Sequence, residues 1–233
     1  MYLFYVPEID QRWELDEEES QHCVRVLRLS VGDEILLTDG KGSTYQARIT
    51  NPHPKHCAFE VLSSEQQVNK RPYRLHVAIA PTKNMDRIEW LVEKATEVGI
   101  DSVTFLNCRF SERKVVKTDR VERIVVSAMK QSLKFCKPMV GEMIDFKNFV
   151  SAERPGAKFI AHCYDSGRVL LKDVLPVGED VTLLVGPEGD FSPEEVEMAI
   201  KAGYRPVSLG SSRLRTETAG LVGCHTFMLK NEL

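Results

Sequence analysis

The stretch from Val181 to Ala219 constrains the fold more than any other part of the 233-residue chain. It reads VTLLVGPEGDFSPEEVEMAIKAGYRPVSLGSSRLRTETA, which predicts a strand, a glycine loop, a helix, a second strand, a polar loop and the start of another helix. Val181–Val185 is continuously apolar, as expected for a strand buried on both faces. We expect the two loops to leave the ends of neighbouring strands, and because ligands bind beyond the carboxyl ends of strands in open α/β sheets, they predict a ligand crevice.

The glycine loop itself is Gly186-Pro187-Glu188-Gly189, which ends the strand and lets a ligand approach the backbone closely. A helix is predicted to follow, with Ser192 as its N-cap, Pro193 at its first position and Glu195 closing a capping box. The loop matches neither GxxxxGK[ST] nor GxGxxG, and its glutamate would repel a pyrophosphate. A purely structural turn between strand and helix would use the same residue types, so this loop alone does not establish a ligand site.

Composition favours an ordinary soluble globular protein, with 42% hydrophobic and 28% charged residues. No apolar run is long enough to cross a bilayer, and the first residues lack the regions of a signal peptide, so we expect a cytoplasmic protein without membrane contact. Six dispersed cysteines without a CxxC pair favour reduced thiols. His53, His56 and Cys57 lie close in sequence, but no second ligand cluster has matching spacing, so a hairpin edge is favoured over a metal site.

Charge alone does not decide whether the partner is a nucleic acid. The formal net charge of −3 argues mildly against it, because phosphate contacts need concentrated Lys and Arg. Basic residues nevertheless gather at Arg25–Arg28, Lys70–Arg74, Arg109–Arg123 and Arg213–Arg215. The chain could therefore present a basic face on an acidic body, although scattered solvated charges explain the composition equally well.

Hydrophobic periodicity divides the chain into two domains. Residues 1–70 predict a small β-barrel with one helix, which Asp16 caps and which runs through Val24 and Leu27. Its predicted strands are Glu34–Thr38, Ser43–Thr50 and Cys57–Leu62, with a hairpin turn at Asp39–Gly42 and a linker at Ser63–Pro72. Residues 73–233 alternate strands and helices, which predicts a mostly parallel sheet covered on both faces.

Several separated motifs resemble one known family. VGPEGDFSPEEVE followed by VSLGSSRLRTETA resembles the carboxy-terminal signature of the ribosomal RNA small subunit methyltransferase E family. That family usually has GPEGGFS and LGxRILRxETA, so Asp190 stands at a glycine position and Ser212 at a common arginine position. The segment His22–Asp33 resembles the family's amino-terminal block. The middle blocks correspond to Lys83–Asp86, Glu93–Gly99, Ser111–Arg113 and Gln131-Ser132.

The resemblance implies a SPOUT-class enzyme, whose carboxy-terminal domain forms a deep trefoil knot around S-adenosylmethionine, preceded by a PUA-like RNA-binding barrel. It implies that the loops hold the cofactor through backbone groups, with Leu209 and Leu214 against the adenine, although ordinary core packing would explain these leucines equally well. The cofactor-binding residues implied are Leu184, Gly186, Pro187, Glu188, Gly189, Leu209, Gly210, Leu214, Thr218 and Ala219. Thr218 could instead cap the last helix.

The family methylates N3 of a uridine in small-subunit (16S) ribosomal RNA, and this implies a way to stabilise the imide anion that remains when the N3 proton leaves. Arg213 and Arg215 in the second loop are candidates, because a guanidinium can hold a uracil carbonyl while charge develops on it. Glu217 could act as the base or orient Arg215. We therefore expect Arg215 and Glu217 to be the catalytic residues.

The resemblance also implies partners. His22, Arg25 and Arg28 would grip RNA, since two arginines three positions apart share a helix face, and Arg109 and Arg113 would extend that basic surface. A solvated helix face is the alternative. The substrate implied is ribosomal RNA in the 30S subunit, and SPOUT enzymes imply a homodimer through the carboxy-terminal domain. Two other functions stay open: a noncatalytic RNA-binding module and a SPOUT methyltransferase acting on transfer RNA.

Overall fold

The computed structural model of the protein describes residues 2–66, 71–164 and 167–232. These residues belong to two units. The first unit comprises Met1–Lys70 together with Val126–Lys137, and the second comprises Arg71–Val125 together with Pro138–Leu233. Sequence analysis predicted a first domain of residues 1–70, and the unit observed also takes in the twelve-residue segment from later in the chain.

The first unit contains a four-stranded sheet in the order β1-β2-β3-β4. Its strands are β1 (Leu3–Tyr5), β2 (Glu34–Thr38), β3 (Thr44–Asn51) and β4 (Ala58–Glu65). β1 pairs with β2 in parallel, and the other pairs are antiparallel. The predicted turn at Asp39–Gly42 joins β2 to β3, where Gly40 and Gly42 supply the positive φ angles that a tight hairpin needs.

The helix of this unit differs from its prediction in its second half. Asp16 is the N-cap, as predicted, and its side chain accepts from the Glu19 amide in α1 (Glu17–Gln21). The chain then continues as a π-helix over His22–Val26 and leaves it at Leu27. Arg28 lies beyond the helix with φ near +57°, so the expectation that Arg25 and Arg28 share one helix face is wrong. The reason is that the helix ends at Leu27, where the Leu29 amide donates back to the Cys23 carbonyl and Arg28 takes the left-handed conformation common at helix ends.

The segment 126–137 is held in the first unit by an ion pair and by backbone hydrogen bonds. Lys130 Nζ donates to Glu19 Oε1 at 2.5 Å, and the side chain of Glu19 is only 6% exposed. Burial raises the pKa of Glu19, whereas the charge of Lys130 opposes that rise. The amide of Lys137 donates to the carbonyl of Gly40 in the β2–β3 turn. These contacts join residues about a hundred positions apart in the chain.

The predicted linker, Ser63–Pro72, begins within a strand. β4 extends to Glu65, so Ser63–Glu65 belong to a strand and not to the linker. The antiparallel partner β3 is long enough to pair with these residues, since Thr44 lies opposite Glu65. The part of the predicted linker at 67–70 lies outside the described residues.

The second unit contains a seven-stranded sheet in the order β7-β6-β5-β10-β8-β11-β9. Its strands are β5 (Leu75–Ile79), β6 (Ser102–Asn107), β7 (Met139–Asp145), β8 (Ala157–Ala161), β9 (Val169–Leu170), β10 (Val181–Val185) and β11 (Arg205–Ser208). Every recorded strand pair is parallel. The predicted α/β class with a mostly parallel sheet is therefore confirmed, and the trefoil knot stays a prediction.

Helices cover both faces of this sheet. They are α2 (Met85–Val98), α3 (Thr118–Gln131), α4 (Phe146–Ser151), α5 (Leu171–Val174), α6 (Pro193–Lys201) and α7 (Thr216–Glu232). Leu183 packs in one core with residues of α2 and α7, whereas its neighbour Leu184 packs in a second core with residues of α4 and α6. Alternate residues of β10 thus face opposite cores, which is why Val181–Val185 is apolar throughout.

No helix within the described ranges is long and apolar enough to cross a membrane. Cys23, Cys57, Cys108, Cys163 and Cys224 carry free thiols, and the sulfurs of Cys23 and Cys57 lie 3.8 Å apart in the core of the first unit. The rings of His53 and His56 stack with centroids 5.6 Å apart. Across residues 2–66, 71–164 and 167–232, no group of three or more His, Cys, Asp or Glu side chains is arranged to hold a metal ion.

Gly156 provides a test of the packing before β8. Its φ is +73°, and an added Cβ would overlap with the backbone carbonyl of Asp180. Gly178 has nearly the same φ, +75°, but an added Cβ would meet nothing within 4 Å. We expect Gly178→Ala to cost about 1 kcal/mol in free energy of unfolding from backbone strain alone, and Gly156→Ala to cost roughly 2 kcal/mol more through the overlap. Urea unfolding followed by circular dichroism measures both changes. Equal losses of unfolding free energy in the two variants would contradict the overlap with the Asp180 carbonyl.

Candidate functional site

Three loops of the second unit meet at the carboxyl edge of its sheet. They follow β8, β10 and β11, and together they line one pocket of about 480 Å³. Sequence analysis expected the loops after β10 and β11 to leave neighbouring strands. The structure corrects this point, because β8 pairs with both β10 and β11 and lies between them. The loop after β8 therefore becomes a third wall, which the sequence analysis did not include.

The glycine loop after β10 is braced from two sides. The predicted capping box of α6 is present, with Ser192 and Glu195 bonded reciprocally. The amide of Lys83, in the loop after β5, donates to Glu188 Oε2 at 3.3 Å. Because Glu188 also lines the pocket, its side chain connects the pocket wall to a neighbouring loop.

Asp190, at the position where the family has glycine, links two of the three loops. Its φ is +66°, a left-handed conformation that Asp tolerates better than most residues. Its Oδ2 accepts from the Cys163 amide at 2.7 Å, and its Oδ1 accepts from the Phe191 amide at 2.8 Å. The Tyr164 hydroxyl donates to the Phe191 carbonyl at 2.8 Å. The departure from glycine thus keeps the turn and adds a bond to the loop after β8.

His162 stands out among the pocket residues. It is only 6% exposed, yet neither ring nitrogen has a hydrogen-bond partner among the described residues. Burial lowers the pKa of this imidazole, with the charges of Asp190 and Arg168 acting in opposite directions. A buried polar group without a partner is uncommon in folded proteins and points to a missing ligand or water. A neutral imidazole offers one donor and one acceptor to such a ligand.

The pocket walls combine bare backbone, apolar side chains and charges. The charged side chains that line the pocket are Arg87, Arg168, Arg213, Arg215, Glu188 and Asp190. Val185, Leu209 and Leu214 supply apolar contacts, and Gly186, Gly189 and Gly210 leave backbone groups accessible. A mostly apolar cleft with a few convergent polar groups is the usual form of a small-molecule site, and its volume lies within the usual range of about 300–1,000 Å³.

Most of the predicted cofactor residues line this pocket. Those that do so are Gly186, Pro187, Glu188, Gly189, Leu209, Gly210, Leu214 and Ala219. The other two lie outside the lining. Leu184 is fully buried in the core against α4 and α6, and Thr218 is half-buried near the start of α7.

The two predicted catalytic residues are not in contact with each other. Arg215 lines the pocket and is exposed, whereas Glu217 is 8% exposed and does not line it. Glu217 lies near a different arginine, with its Oε1 4.0 Å from Arg87 Nε. Its Oε2 is buried without a hydrogen-bond partner among the described residues. Arg87 itself lines the pocket, so Glu217 can act on the site through Arg87.

The predicted RNA-binding residues fall into two groups. His22, Arg25 and Arg28 are exposed in the first unit. Arg109 is exposed in the second unit, but Arg113 is half-buried and its guanidinium donates to the backbone carbonyls of residues 82 and 83. Arg113 therefore braces the loop that carries Lys83.

Sequence analysis missed His162, Cys163, Arg168 and Arg87 as pocket residues. The first three follow an apolar run, so the rule that ligands bind beyond strand ends could have found them. No such signal marked Arg87, because it lies in α2, about a hundred residues before the loops it joins.

Comparison with known proteins agrees with this architecture. The family described as an RNA methyltransferase domain matches residues 69–228, and an RNA methyltransferase PUA domain matches residues 15–62. A probable rRNA-methyltransferase of Porphyromonas gingivalis is 45% identical, with a TM-score of 0.91, over 98% of this chain and 99% of that one. The ribosomal RNA small subunit methyltransferase E of Neisseria gonorrhoeae, solved with S-adenosyl methionine, is 27% identical, with a TM-score of 0.85, over 98% and 97%.

Sequence relatives give the same result. The ribosomal RNA small subunit methyltransferase E of Rickettsia conorii is 28% identical over 89% of this chain and 86% of its own length. The two family matches and the parallel sheet are those of an RNA methyltransferase with an added PUA-like domain. The chain belongs, within that class, to the ribosomal RNA small subunit methyltransferase E family.

The environment of His162 can be tested by NMR titration. Asp190→Asn removes a negative charge that favours the imidazolium, so we expect the His162 pKa to fall further below 6.5. Arg168→Gln removes a positive charge that disfavours the imidazolium, so the pKa should rise. Shifts in the same direction for the two variants would contradict the electrostatic account of this pocket.

Proposed function

We propose that the protein is an S-adenosylmethionine-dependent methyltransferase that modifies N3 of a uridine in small-subunit (16S) ribosomal RNA, with the 30S subunit as its context. The observation that carries the proposal is the pocket formed by three loops at the carboxyl edge of the sheet, in a chain of this family. We also propose that residues 1–70 form an RNA-binding domain, that residues 73–233 form a catalytic domain with a trefoil knot, and that the catalytic domain forms a homodimer.

The pocket fits S-adenosylmethionine in its chemistry. Backbone groups of Gly186, Gly189 and Gly210 suit a polar, uncharged adenosine, and Leu209 and Leu214 suit its base. His162, buried without a partner among the described residues, can hydrogen bond to a ligand in this pocket. The lining carries the carboxylates of Glu188 and Asp190 against four arginines, so the pocket offers both signs of charge to a ligand that has a sulfonium, an ammonium and a carboxylate group. The cofactor supplies an electrophilic methyl group.

Arg215 is assigned to stabilise the uracil as it becomes anionic. Neutral uracil carries a proton on N3, and loss of that proton leaves negative charge on the nitrogen and its neighbouring carbonyl oxygens. An exposed guanidinium at the pocket can donate to one of those oxygens. Such a contact strengthens as the charge develops, so it lowers the barrier more than it tightens substrate binding.

Glu217 is assigned as a positioning residue. It is buried at the start of α7, and the cation near it is Arg87, not Arg215. The sequence left two roles for Glu217, acting as a base or orienting Arg215. The observed geometry supports an orienting role, but for Arg87 instead of Arg215. Arg87 then presents its positive charge to the pocket.

The first unit is assigned to RNA docking. His22 and Arg25 are exposed on the π-helix, and Arg28 follows in a left-handed turn. Although they do not share one helix face, they remain close in the chain, and each arginine can neutralise a phosphate.

Two experiments test the proposed function. Thermal unfolding with and without S-adenosylmethionine separates the enzyme from a noncatalytic RNA-binding module, which would not be stabilised by the cofactor. Mass spectrometry of RNA from cells lacking the protein should then show loss of one N3-methyluridine from small-subunit RNA. Loss of a transfer RNA methylation instead would establish the transfer RNA alternative.

We expect Arg215→Ala to lower the single-turnover methylation rate at saturating RNA about a hundredfold or more, because it removes one charge-stabilising donor. Affinity for S-adenosylmethionine should change little. Arg205→Ala is the matched control, since Arg205 is exposed at the opposite end of β11. A full rate for Arg215→Ala under these conditions would exclude the catalytic role.

We expect Arg25→Gln/Arg28→Gln to weaken RNA binding and to lower the slope of log affinity against log salt by about two, roughly one for each phosphate contact. Arg48→Gln is the control, because Arg48 already lies between Glu34 and Glu60 in the same unit. The rate at saturating RNA should stay near that of the unmodified protein. A double variant that binds normally, or that stays slow at saturation, is inconsistent with docking.

A further inference from the structure

An exposed aromatic ring lies next to the pocket. Phe110 is 46% exposed, in the loop between β6 and α3. This loop contacts the glycine loop, since a Cβ added to Gly189 would lie 3.3 Å from the Cβ of Phe110. Gly189 lines the pocket, so Phe110, which is not itself part of the lining, lies against a residue of the pocket wall. An exposed phenylalanine at the rim of a binding pocket is more informative than one on an open surface.

The backbone around Phe110 is well anchored. The Arg109 amide donates to Glu195 Oε1 at 2.8 Å, using the same carboxylate that closes the capping box of α6. The Cys108 amide donates to Ser111 Oγ at 3.0 Å, and the Ser111 amide donates to the Cys108 carbonyl at 3.1 Å. The turn therefore holds Phe110 at a defined place, as a platform for a ligand requires.

The charge around the ring indicates what it contacts. The guanidinium of Arg109 lies 5.9 Å from the centroid of Phe110, and its Nη1 lies 4.0 Å from Glu194 Oε2 in a pair that is largely exposed to solvent. The loop after Phe110 carries three cations against one acidic residue, Glu112. Arg113 donates to the carbonyls of residues 82 and 83 and Lys114 donates to Asn107, whereas Lys117 is exposed. A protein partner with an apolar surface would contact the ring but would make no use of the cations beside it. A nucleotide would use both features, because its base stacks on an aromatic ring while its phosphate binds a cation.

From these observations we propose that Phe110 is the stacking platform for the uracil that enters the pocket, with Arg109 beside it for the adjoining phosphate. The proposal rests on the proposed function and identifies a positioning residue for it. A base that leaves the RNA stack loses its neighbours, and an aromatic ring at the pocket edge replaces that contact.

Binding and kinetics of Phe110 variants test the proposal, with small subunits from cells lacking the protein as substrate. Phe110→Ala should weaken RNA affinity roughly tenfold, within the range that loss of one base–aromatic stack produces. Phe110→Tyr should keep the affinity, whereas Phe110→Leu, which is apolar but not aromatic, should not. Affinity for S-adenosylmethionine should be unchanged in all three. Ile200→Ala is the control, because Ile200 on α6 is similarly exposed, at 47%.

The outcomes separate this proposal from the proposed function. If the unmodified protein does not methylate small-subunit RNA, the proposed function fails. If it does, and Phe110→Leu or Phe110→Ala binds RNA as tightly as the unmodified protein, stacking on Phe110 is excluded. A loss of cofactor affinity in Phe110→Ala would also overturn the proposal, because it would place the ring in the cofactor site.

Fluorescence gives a direct signature of stacking. Phe110→Trp in a Trp13→Phe/Trp90→Phe background leaves one tryptophan, since the chain has only two of its own, both exposed. Uridine monophosphate and the RNA should quench this tryptophan, and the same background without Trp at 110 corrects for other effects. An emission spectrum that neither ligand changes would overturn the proposal.

Discussion

Strand β10 pairs with β5 on one side and with β8 on the other, and all five of its residues are buried. Because β10 is flanked on both sides, the glycine loop that follows it must lie at the carboxyl ends of the strands. The strands on both sides are parallel to it, and their loops emerge at the same edge. This arrangement of strands determines where the pocket lies, and the residues of the loops determine which polar and apolar groups line it.

Hydrogen bonds between loops then give the pocket its form. Asp190 accepts from the Cys163 amide, and Tyr164 donates to the Phe191 carbonyl, so the loops after β8 and β10 are tied at two points. Glu195 serves both the cap of α6 and the amide of Arg109. The same few polar side chains thus position the glycine loop and the loop of Phe110. His162 is the exception, because neither of its ring nitrogens has a hydrogen-bond partner among the described residues.

The first unit is organised around a different constraint. Its four-stranded sheet is supplemented by residues 126–137, which bring Lys130 to the buried carboxylate of Glu19. Burying a carboxylate without a partner destabilises a fold, so the stability of the first unit depends on the segment that brings Lys130 to Glu19. The π-helix next to it carries Arg25 and ends at Leu27, and Arg28 follows in a left-handed turn.

The sequence by itself determined the local elements with a clear pattern. The apolar run of β10, the capping box at Ser192, the N-cap at Asp16 and the hairpin at Asp39–Gly42 are all as predicted, because each depends on residues within a few positions of one another. The family and eight of the pocket-lining residues also followed from local motifs. Only the tertiary structure decided that β8 separates β10 from β11, that Arg87 rather than Arg215 lies beside Glu217, and that residues 126–137 join the first unit. These features depend on pairing between distant segments, whose register and order are set by burial and hydrogen bonding across the whole fold and leave no periodic trace in the chain.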